Sequence, residues 1–182
     1  MKDVRPTSSR VMLALFSILG EFNEKTKFLD LFSGTGKIGF EALKRGAKQV
    51  IFVESVKSRA DEIKKNLRDE NNYVLSLEIR RAINWLVKRE MKFDFIFADP
   101  PYNSGWCEVL PTLKNLDKLF HEKTIFIIEH STREEIFLTN NPYELEIISQ
   151  KIYGETCLTF IRMINYSVTL EKSDIITNQL QF

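Results

Sequence analysis

Cysteine and histidine are scarce in this sequence. It has two cysteines and two histidines among 182 residues, and Cys107 and Cys157 stand far apart with no Cys or His at the spacing of metal ligands. Such a pattern argues against a disulfide framework and against a zinc site. We therefore expect two reduced cysteines with packing roles, and no metal.

Long apolar runs are missing as well. No stretch approaches the roughly 20 apolar residues that a membrane-spanning helix needs. The first residues, Met-Lys-Asp-Val-Arg-Pro, have no apolar core of the kind that a secretion signal carries. We expect a protein of the cytoplasm that does not enter a membrane. Repeats and low-complexity linkers are missing too, so residues 1–182 are predicted to form a single domain.

An excess of charge is also missing, since the formal net charge is +1. The charge is nevertheless uneven along the chain. Residues 1–68 contain 14 Lys and Arg against 8 Asp and Glu, whereas residues 69–182 contain 12 against 17. A basic first third suits contact with a phosphate backbone, although it is also compatible with a solvated surface.

What the sequence does have is an alternation of strand and helix patterns. Apolar, β-rich runs predict strands at 28–32, 49–53, 74–79, 93–98 and 124–129, and the intervening segments predict helices at 37–46, 57–71, 82–90 and 106–119. Two further β-rich runs, 145–152 and 156–164, flank Tyr153-Gly154 and predict an antiparallel pair. The predicted fold class is α/β: a Rossmann-like, mostly parallel seven-stranded sheet with an antiparallel final strand and helices on both faces.

Segments outside the core, which spans about 28–164, are predicted at both ends. A helical lead occupies about 5–22, where Ser8 or Ser9 suits the N-cap and the apolar face consists of Val11, Leu15, Ile18 and Leu19. The tail at 165–182 is polar with scattered apolar residues, so it either frays or docks on the body through Ile175, Ile176, Leu180 and Phe182.

A glycine-rich turn follows the first strand. Gly34, Gly36 and Gly39 have the spacing Gly-x-Gly-x-x-Gly, and glycine lets backbone N–H groups approach a ligand closely. Asp30 lies in the strand, and Glu54 ends the next apolar run, where an acid suits the hydroxyls of a ribose. The spacing by itself is compatible with a dinucleotide or a nucleoside.

A second stretch narrows the possible chemistry of the site. Asp99-Pro100-Pro101-Tyr102 follows the apolar run 93–98, which places it at the carboxyl end of a strand in the same sheet. A carboxylate and a rigid carbonyl can accept the two hydrogens of an exocyclic base amine and aim its lone pair at a methyl donor. Tyr102 offers a face on which a base can stack. The pattern therefore favours methyl transfer over hydride transfer.

The two stretches together resemble those of the S-adenosylmethionine-dependent amino-methyltransferases. The ordered set also contains Arg5-Pro-Thr-x-x-Arg-Val11, Glu129-His130-Ser131, and Tyr153-Gly154 before Leu158-Thr159. With these elements it resembles the RsmD family, which methylates guanine N2 in small-subunit ribosomal RNA. The resemblance runs from about Arg5 to Arg162.

The resemblance implies a class I methyltransferase with S-adenosyl-L-methionine as cofactor and ribosomal RNA as partner, either naked or in the assembled small subunit. The implied catalytic residues are Asp99, Pro100, Pro101 and Tyr102. The implied cofactor-binding residues are Asp30, Phe32, Ser33, Gly34, Thr35, Gly36, Glu54, Ala82, Ile83 and Asp99. RNA contacts are implied for Arg5, Arg10, Tyr102 and Asn103.

The sequence departs from the family in two places. Where the family commonly offers an Asp or Asn to the adenine, this chain has Arg81, which cannot accept a hydrogen bond, so Ala82 and Ile83 are expected to contact the adenine instead. Family members also carry a Gly- and Arg-rich segment before the Arg-Pro-Thr element, whereas this sequence begins almost at Arg5. We therefore expect one of three consequences: the protein binds ribosomal RNA weakly, it relies on ribosomal proteins for binding, or it acts on another nucleic acid.

Two alternatives stay open. Asp-Pro-Pro-Tyr is shared with adenine-N6 methyltransferases of DNA or RNA, and a non-catalytic RNA-binding or ribosome assembly factor could keep the fold. A test of cofactor binding distinguishes the assembly factor from a methyltransferase, because such a factor has no use for the glycine turn and its acids. No dimer surface is evident in the sequence, and we expect a monomer.

Overall fold

The structure is a computed structural model that describes residues 9–138 and 144–164. Arg5, predicted to contact RNA, and the tail at 165–182 lie outside the described residues. Within them, the strands are β1 (Lys27–Leu31), β2 (Gln49–Val53), β3 (Tyr73–Leu75), β4 (Phe95–Ala98), β5 (Ile125–Ser131), β6 (Leu145–Tyr153) and β7 (Thr156–Met163). The α-helices are α1 (Ser9–Leu19), α2 (Lys37–Lys44), α3 (Lys57–Asn66), α4 (Ile79–Val87) and α5 (Trp106–Val109).

The described strands form one seven-stranded sheet in the order β3-β2-β1-β4-β5-β7-β6. The first five strands pair in parallel, whereas β7 runs antiparallel to β5 on one side and to β6 on the other. The predicted fold class, including its single antiparallel strand, is confirmed.

Helices cover both faces of the sheet because its central strands are apolar on both sides. Alternate strand residues Phe28, Phe52 and Phe97 pack with apolar residues of α1, α2 and α3. Their neighbours, Leu29 and Ile51 among them, pack with α4 and Cys107 of α5. Strands buried on both faces are typical of parallel sheets between helices, and the two clusters leave the carboxyl ends of the strands as the edge on which a site can form.

Helix boundaries differ from the predictions in three places. The predicted helix 106–119 is wrong beyond Val109: short 3-10 turns occupy Leu110–Thr112 and Asp117–Leu119, with an extended Leu113 between them and a left-handed Asn115 (φ 70°). Pro111 lacks an N–H for a continuing α-helix. The helix predicted at 57–71 ends at Asn66, because Leu67 is extended, and the helix predicted at 82–90 begins at Ile79.

The buried face of α1 also differs from the prediction. Val11 and Leu15 are buried as expected, but Ile18 is 44% exposed and Phe16 is fully buried in its place. Phe16 meets the ring of Phe22 edge-on at 5.8 Å and stacks near Phe28 at 6.2 Å between centroids. The aromatic cluster fixes how α1 lies on the sheet.

Among the described helices, the longest apolar stretches are too short to cross a membrane.

Candidate active site

Three strand ends meet at one edge of the sheet. β1 lies between β2 and β4, and Leu31 is in register with Val53 on one side and with Ala98 on the other. The residues that follow these positions, Phe32, Glu54 and Asp99, therefore leave the sheet side by side. The chain order reverses here, with β2 to one side of β1 and β4 to the other. Ligands of open α/β sheets bind at such a point.

The glycine loop, residues 32–36, is a tight turn built on left-handed backbone. The angle φ is 62° at Phe32, 57° at Gly34 and 78° at Gly36. Ser33 closes the turn, since its Oγ accepts from the N–H of Val53 at 3.0 Å and donates to the carbonyl of Asp30 at 2.7 Å. The N–H of Gly36 donates to the Ser33 carbonyl at 2.7 Å. These bonds hold the loop between β1 and the start of α2.

The glycines of this region have different roles. A Cβ at Gly39 would lie 2.2 Å from the ring of Phe52, so glycine there lets α2 lie directly on β2. A Cβ at Gly36 would lie 3.0 Å from the ring of Phe40 and 3.1 Å from Ile63. Gly34 instead uses its N–H, which donates to Oε2 of Glu54 at 2.9 Å. The third glycine thus serves helix–strand packing, as in dinucleotide-binding folds.

Glu54, the acid predicted to bind ribose hydroxyls, is buried at the end of β2 with 4% exposure. Besides the Gly34 bond, its Oε1 accepts from the N–H of Val56 at 2.7 Å and from Nη2 of Arg59 at 2.9 Å. The Nε of Arg59 is buried and has no hydrogen-bond partner within the described ranges. Buried polar groups are normally paired, so an unpaired donor beside an oriented carboxylate fits a site for a polar ligand.

Asp30 lies beneath the glycine loop and is 2% exposed. Its Oδ2 accepts from the N–H of Gly39 at 3.0 Å. The pKa of this carboxyl is raised to about 8, mainly by burial. The hydrogen bond from Gly39 lowers the pKa, whereas the charges of Asp99 and Glu54 raise it. Three carboxyl groups from three neighbouring strands therefore share one electrostatic environment, which suits a cationic ligand.

The Asp99–Asn103 loop, which contains the predicted catalytic residues, is held by bonds to distant parts of the chain. The hydroxyls of Tyr102 and Thr156 are 3.1 Å apart, and the ring of Tyr102 is half-buried. The N–H of Asn103, a residue with a φ of 53°, donates to Oε1 of Glu134 at 2.9 Å. Ser104 Oγ donates to the carbonyl of Pro101. The loop therefore has a defined shape beside the glycine loop.

An aromatic contact links the two loops. Phe32, the first residue of the glycine loop, meets the ring of Trp106 edge-on, with the centroids 5.0 Å apart and the planes at 73°. Trp106 begins α5, directly after the segment that carries Tyr102. The predicted cofactor and catalytic elements are thus packed against each other.

Other predicted residues have less direct positions. Ala82 and Ile83 are buried within α4, with 0% and 1% exposure, and the N–H of Ala82 donates to the Glu78 carbonyl at 2.9 Å, so their contact with an adenine stays a prediction. Thr35 is exposed on the glycine loop, and Arg10 is exposed on α1. The start of α1 lies beside that of α2, because Nζ of Lys37 is 3.4 Å from Oγ of Ser9.

Glu129, His130 and Ser131 lie on β5, next to β4, and all three are buried. Nδ1 of His130 is 2.9 Å from the Ser131 carbonyl, and Nε2 is 2.8 Å from Oγ1 of Thr159. The histidine is thus fixed within the sheet. Cys107 and Cys157 are free and buried. Within 9–138 and 144–164, no cluster of His, Cys, Asp and Glu could hold a metal ion.

Comparisons with known proteins show the family of this chain. Residues 1–162 match the family described as conserved hypothetical protein 95. The chain is 29% identical over 161 residues to the ribosomal RNA small subunit methyltransferase D of Buchnera aphidicola subsp. Acyrthosiphon pisum, with 86% of this chain and 84% of that protein covered.

Solved structures show the same architecture. A conserved hypothetical protein of Streptococcus pyogenes superposes with a TM-score of 0.67 at 27% identity, covering 84% of this chain and 94% of that one. A ribosomal protein L11 methylase of Lactobacillus delbrueckii subsp. bulgaricus, at 18% identity, shares the fold with a TM-score of 0.60, covering 78% of this chain and 72% of that one. The chain therefore belongs to the conserved hypothetical protein 95 family, the RsmD family that its motifs resemble, and has the fold of a class I methyltransferase.

Proposed function

We propose that this protein transfers a methyl group from S-adenosyl-L-methionine to the exocyclic N2 amine of a guanine in small-subunit ribosomal RNA. The observation that carries the proposal is the shared sheet edge, where the register of β1 with β2 and β4 places the glycine loop and Glu54 beside Asp99. The name of the Buchnera relative supports the substrate class. The resemblance to the RsmD family supports guanine N2 as the acceptor.

The residues present fit the cofactor. The oriented carboxylate of Glu54 can accept hydrogen bonds from ribose hydroxyls, and the unpaired Nε of Arg59 beside it can donate to a ligand oxygen. The acidic cluster of Asp30, Glu54 and Asp99 suits a ligand that carries positive charge. When bound, S-adenosyl-L-methionine supplies an electrophilic methyl group.

The Asp99–Asn103 loop supplies the acceptor side of the reaction. An exocyclic amine is a poor nucleophile because its lone pair is conjugated with the ring. The carboxylate of Asp99 and the carbonyl of Pro100 can each accept one amine hydrogen, which localises the lone pair and directs it along the line of transfer. In transfer, the nitrogen would form its bond to the methyl carbon as the bond between that carbon and the cofactor sulfur breaks, and the amine proton would leave to solvent afterwards, so the site requires no strong base.

A guanine stacked in RNA cannot reach this edge of the sheet, so the base must be flipped out. The half-buried ring of Tyr102, oriented through its hydroxyl by Thr156, offers a fixed surface for stacking. Arg10 on α1 and Asn103 in the Asp99–Asn103 loop are exposed and can contact the RNA backbone. Flipping costs a few kcal/mol, and least where the base is already unpaired.

The test measures transfer of labelled methyl groups from S-adenosyl-L-methionine to three acceptors: unmodified small ribosomal subunits, naked small-subunit RNA and duplex DNA. The product nucleoside is identified by its mass together with its chromatographic retention against methylated nucleoside standards. We expect N2-methylguanine in one or both ribosomal samples, and the pair of samples shows which assembly state is the substrate. Label in adenine, or no label with any acceptor, would contradict the proposal.

Variants separate binding from chemistry in the same assay. Asp99→Ala is expected to abolish transfer and to leave equilibrium binding of S-adenosyl-L-methionine largely intact. Asp61→Ala, on the exposed side of α3, is the matched control and should transfer at the wild-type rate. Equal loss of binding and transfer in Asp99→Ala would contradict the assigned role.

We further propose that the protein acts as a monomer in the cytoplasm. Its mass in solution tests the monomeric state.

A further inference from the structure

Glu134 lies in the turn that follows β5 and belongs to none of the sequence motifs. The turn fixes this residue, because its N–H donates to the Ser131 carbonyl at 3.0 Å and its Oε2 accepts from the Ser131 N–H at 3.3 Å. The carboxylate is thus held in one orientation by its own segment. A charged acceptor held in this way makes a strong hydrogen bond to whatever donor it meets.

The Glu134 carboxylate accepts a hydrogen bond from the backbone of the Asp99–Asn103 loop. Oε1 of Glu134 accepts from the N–H of Asn103 at 2.9 Å, across 31 residues of sequence. Asn103 has a φ of 53°, a conformation that few residues other than glycine adopt readily. The hydrogen bond therefore stabilises the loop where its backbone enters the left-handed region.

The contact between Glu134 and Asn103 lies beside a cavity. Both residues line this space, which has a volume of about 450 Å³. One buried group lies close to the Glu134 carboxylate, the thiol of Cys107. Burial, followed by the charge of Glu134, raises the pKa of Cys107 to about 12, so the thiol keeps its proton.

The opposite side of the loop has its own attachment. Tyr102, the residue before Asn103, is bonded through its hydroxyl to Thr156 of β7. Two successive residues are thus fixed to two different elements, one through a side chain and the other through the backbone. Together they restrain the loop that contains Asp99 and Pro100.

We propose that Glu134 is a positioning residue that holds the Asp99–Asn103 loop in the geometry required for methyl transfer. The proposal rests on the proposed function for its catalytic consequence, whereas the anchoring of the loop stands on the structure alone. Alignment of the acceptor amine is the main contribution of this site, and a displacement of about 1 Å in such a site lowers the rate on the order of 100-fold.

The experiment compares Glu134→Ala, Glu134→Gln and the control Glu135→Ala, an exposed neighbour with the same charge. Hydrogen exchange is followed by mass spectrometry on a peptide that contains residues 99–105, in which Tyr102, Asn103, Ser104 and Gly105 carry exchangeable amides since the two prolines have none. Methyl transfer and equilibrium binding of S-adenosyl-L-methionine are measured on the same samples.

Glu134→Ala is expected to exchange faster in this peptide and to lower kcat about 10- to 100-fold, with the dissociation constant of the cofactor within about twofold of wild type. Glu134→Gln keeps one acceptor for Asn103 but presents an amide donor to Ser131, so its kcat should lie between those of wild type and Glu134→Ala. Glu135→Ala should match the wild type in every readout.

Unchanged exchange in the 99–105 peptide of Glu134→Ala would overturn the proposal whatever the activity. Faster exchange with an unchanged kcat would overturn the catalytic role of the anchor. A wild-type protein that transfers no methyl group to any acceptor would refute the proposed function instead, and the exchange data would still decide whether Glu134 anchors the loop.

Discussion

The buried carboxyl of Asp30 makes cofactor binding depend on pH. Its pKa is raised from 3.8 to about 8 by burial, and additionally by the charges of Asp99 and Glu54. Most molecules of the free protein therefore carry a protonated Asp30 at pH 7. A ligand with positive charge favours the ionised carboxyl and lowers its pKa, so binding releases a proton.

The sign and size of the effect follow from this linkage. Affinity should be greatest above pH 8 and fall as pH decreases, with a slope that approaches tenfold per pH unit and a total of at most about 50-fold between pH 8 and pH 6. At pH 7 binding should release up to one proton, because most Asp30 is protonated before the ligand arrives.

Titration calorimetry in buffers of different ionisation enthalpy measures both quantities. The cofactor has an α-amino group, which itself titrates near pH 8, so the wild type is compared with Asp30→Asn. The amide can still accept from the N–H of Gly39 but releases no proton, and the difference between the two proteins isolates Asp30. Equal pH slopes and equal proton release in both proteins would refute the reasoning.

Three further predictions concern residues around the same edge. Gly39→Ala places a methyl group 2.2 Å from the ring of Phe52 and should lower the free energy of unfolding by about 1–3 kcal/mol in denaturant titrations; an unchanged midpoint would show that α2 does not lie so close to β2. Glu54→Gln should weaken cofactor binding about tenfold or more, because hydrogen bonds to a charged acceptor contribute about 1.5–3 kcal/mol, and calorimetry that finds wild-type affinity would remove Glu54 from the site. Tyr102→Phe keeps the stacking face and should change the KM for RNA less than Tyr102→Ala, which loses about 1–3 kcal/mol of stacking; equal KM values in steady-state assays would argue against a base on this ring.

The sequence predicted those parts of the fold and site that depend on local patterns. Short apolar runs located all seven described strands, and their ends placed Asp30, Glu54 and Asp99 on one edge, because parallel strands align their carboxyl ends. The alternation of strands with helices also predicted helices on both faces of the sheet, which the two core clusters confirm.

Where local signals were ambiguous, the prediction was wrong. The segment 106–119 has helical periodicity, but Pro111 and the left-handed Asn115 divide it into short turns. In α1, apolar residues occupy most positions from Val11 to Leu19, so periodicity could not distinguish Ile18 from Phe16 as the buried residue. The aromatic contacts with Phe22 and Phe28 decide that choice.

Residues that act through distant partners could not be predicted. Glu134 and Thr156 bond to the Asp99–Asn103 loop across 31 and 54 residues, and neither lies in a recognisable motif. Arg59 likewise has a role only because the turn after β2 brings it to Glu54. Such contacts depend on the packed fold, and a sequence pattern carries no signal for them.

The bond between Tyr102 and Thr156 has a consequence for the order in which the protein matures during synthesis. The glycine loop, Glu54 and the first four strands precede residue 99, whereas Thr156 begins the last strand and is inserted between β5 and β6. Domains begin to fold from the N-terminus as the chain is made. A nascent chain that ends before Thr156 can therefore assemble the cofactor half of the site, while the acceptor half becomes fixed only after nearly the whole domain has been translated.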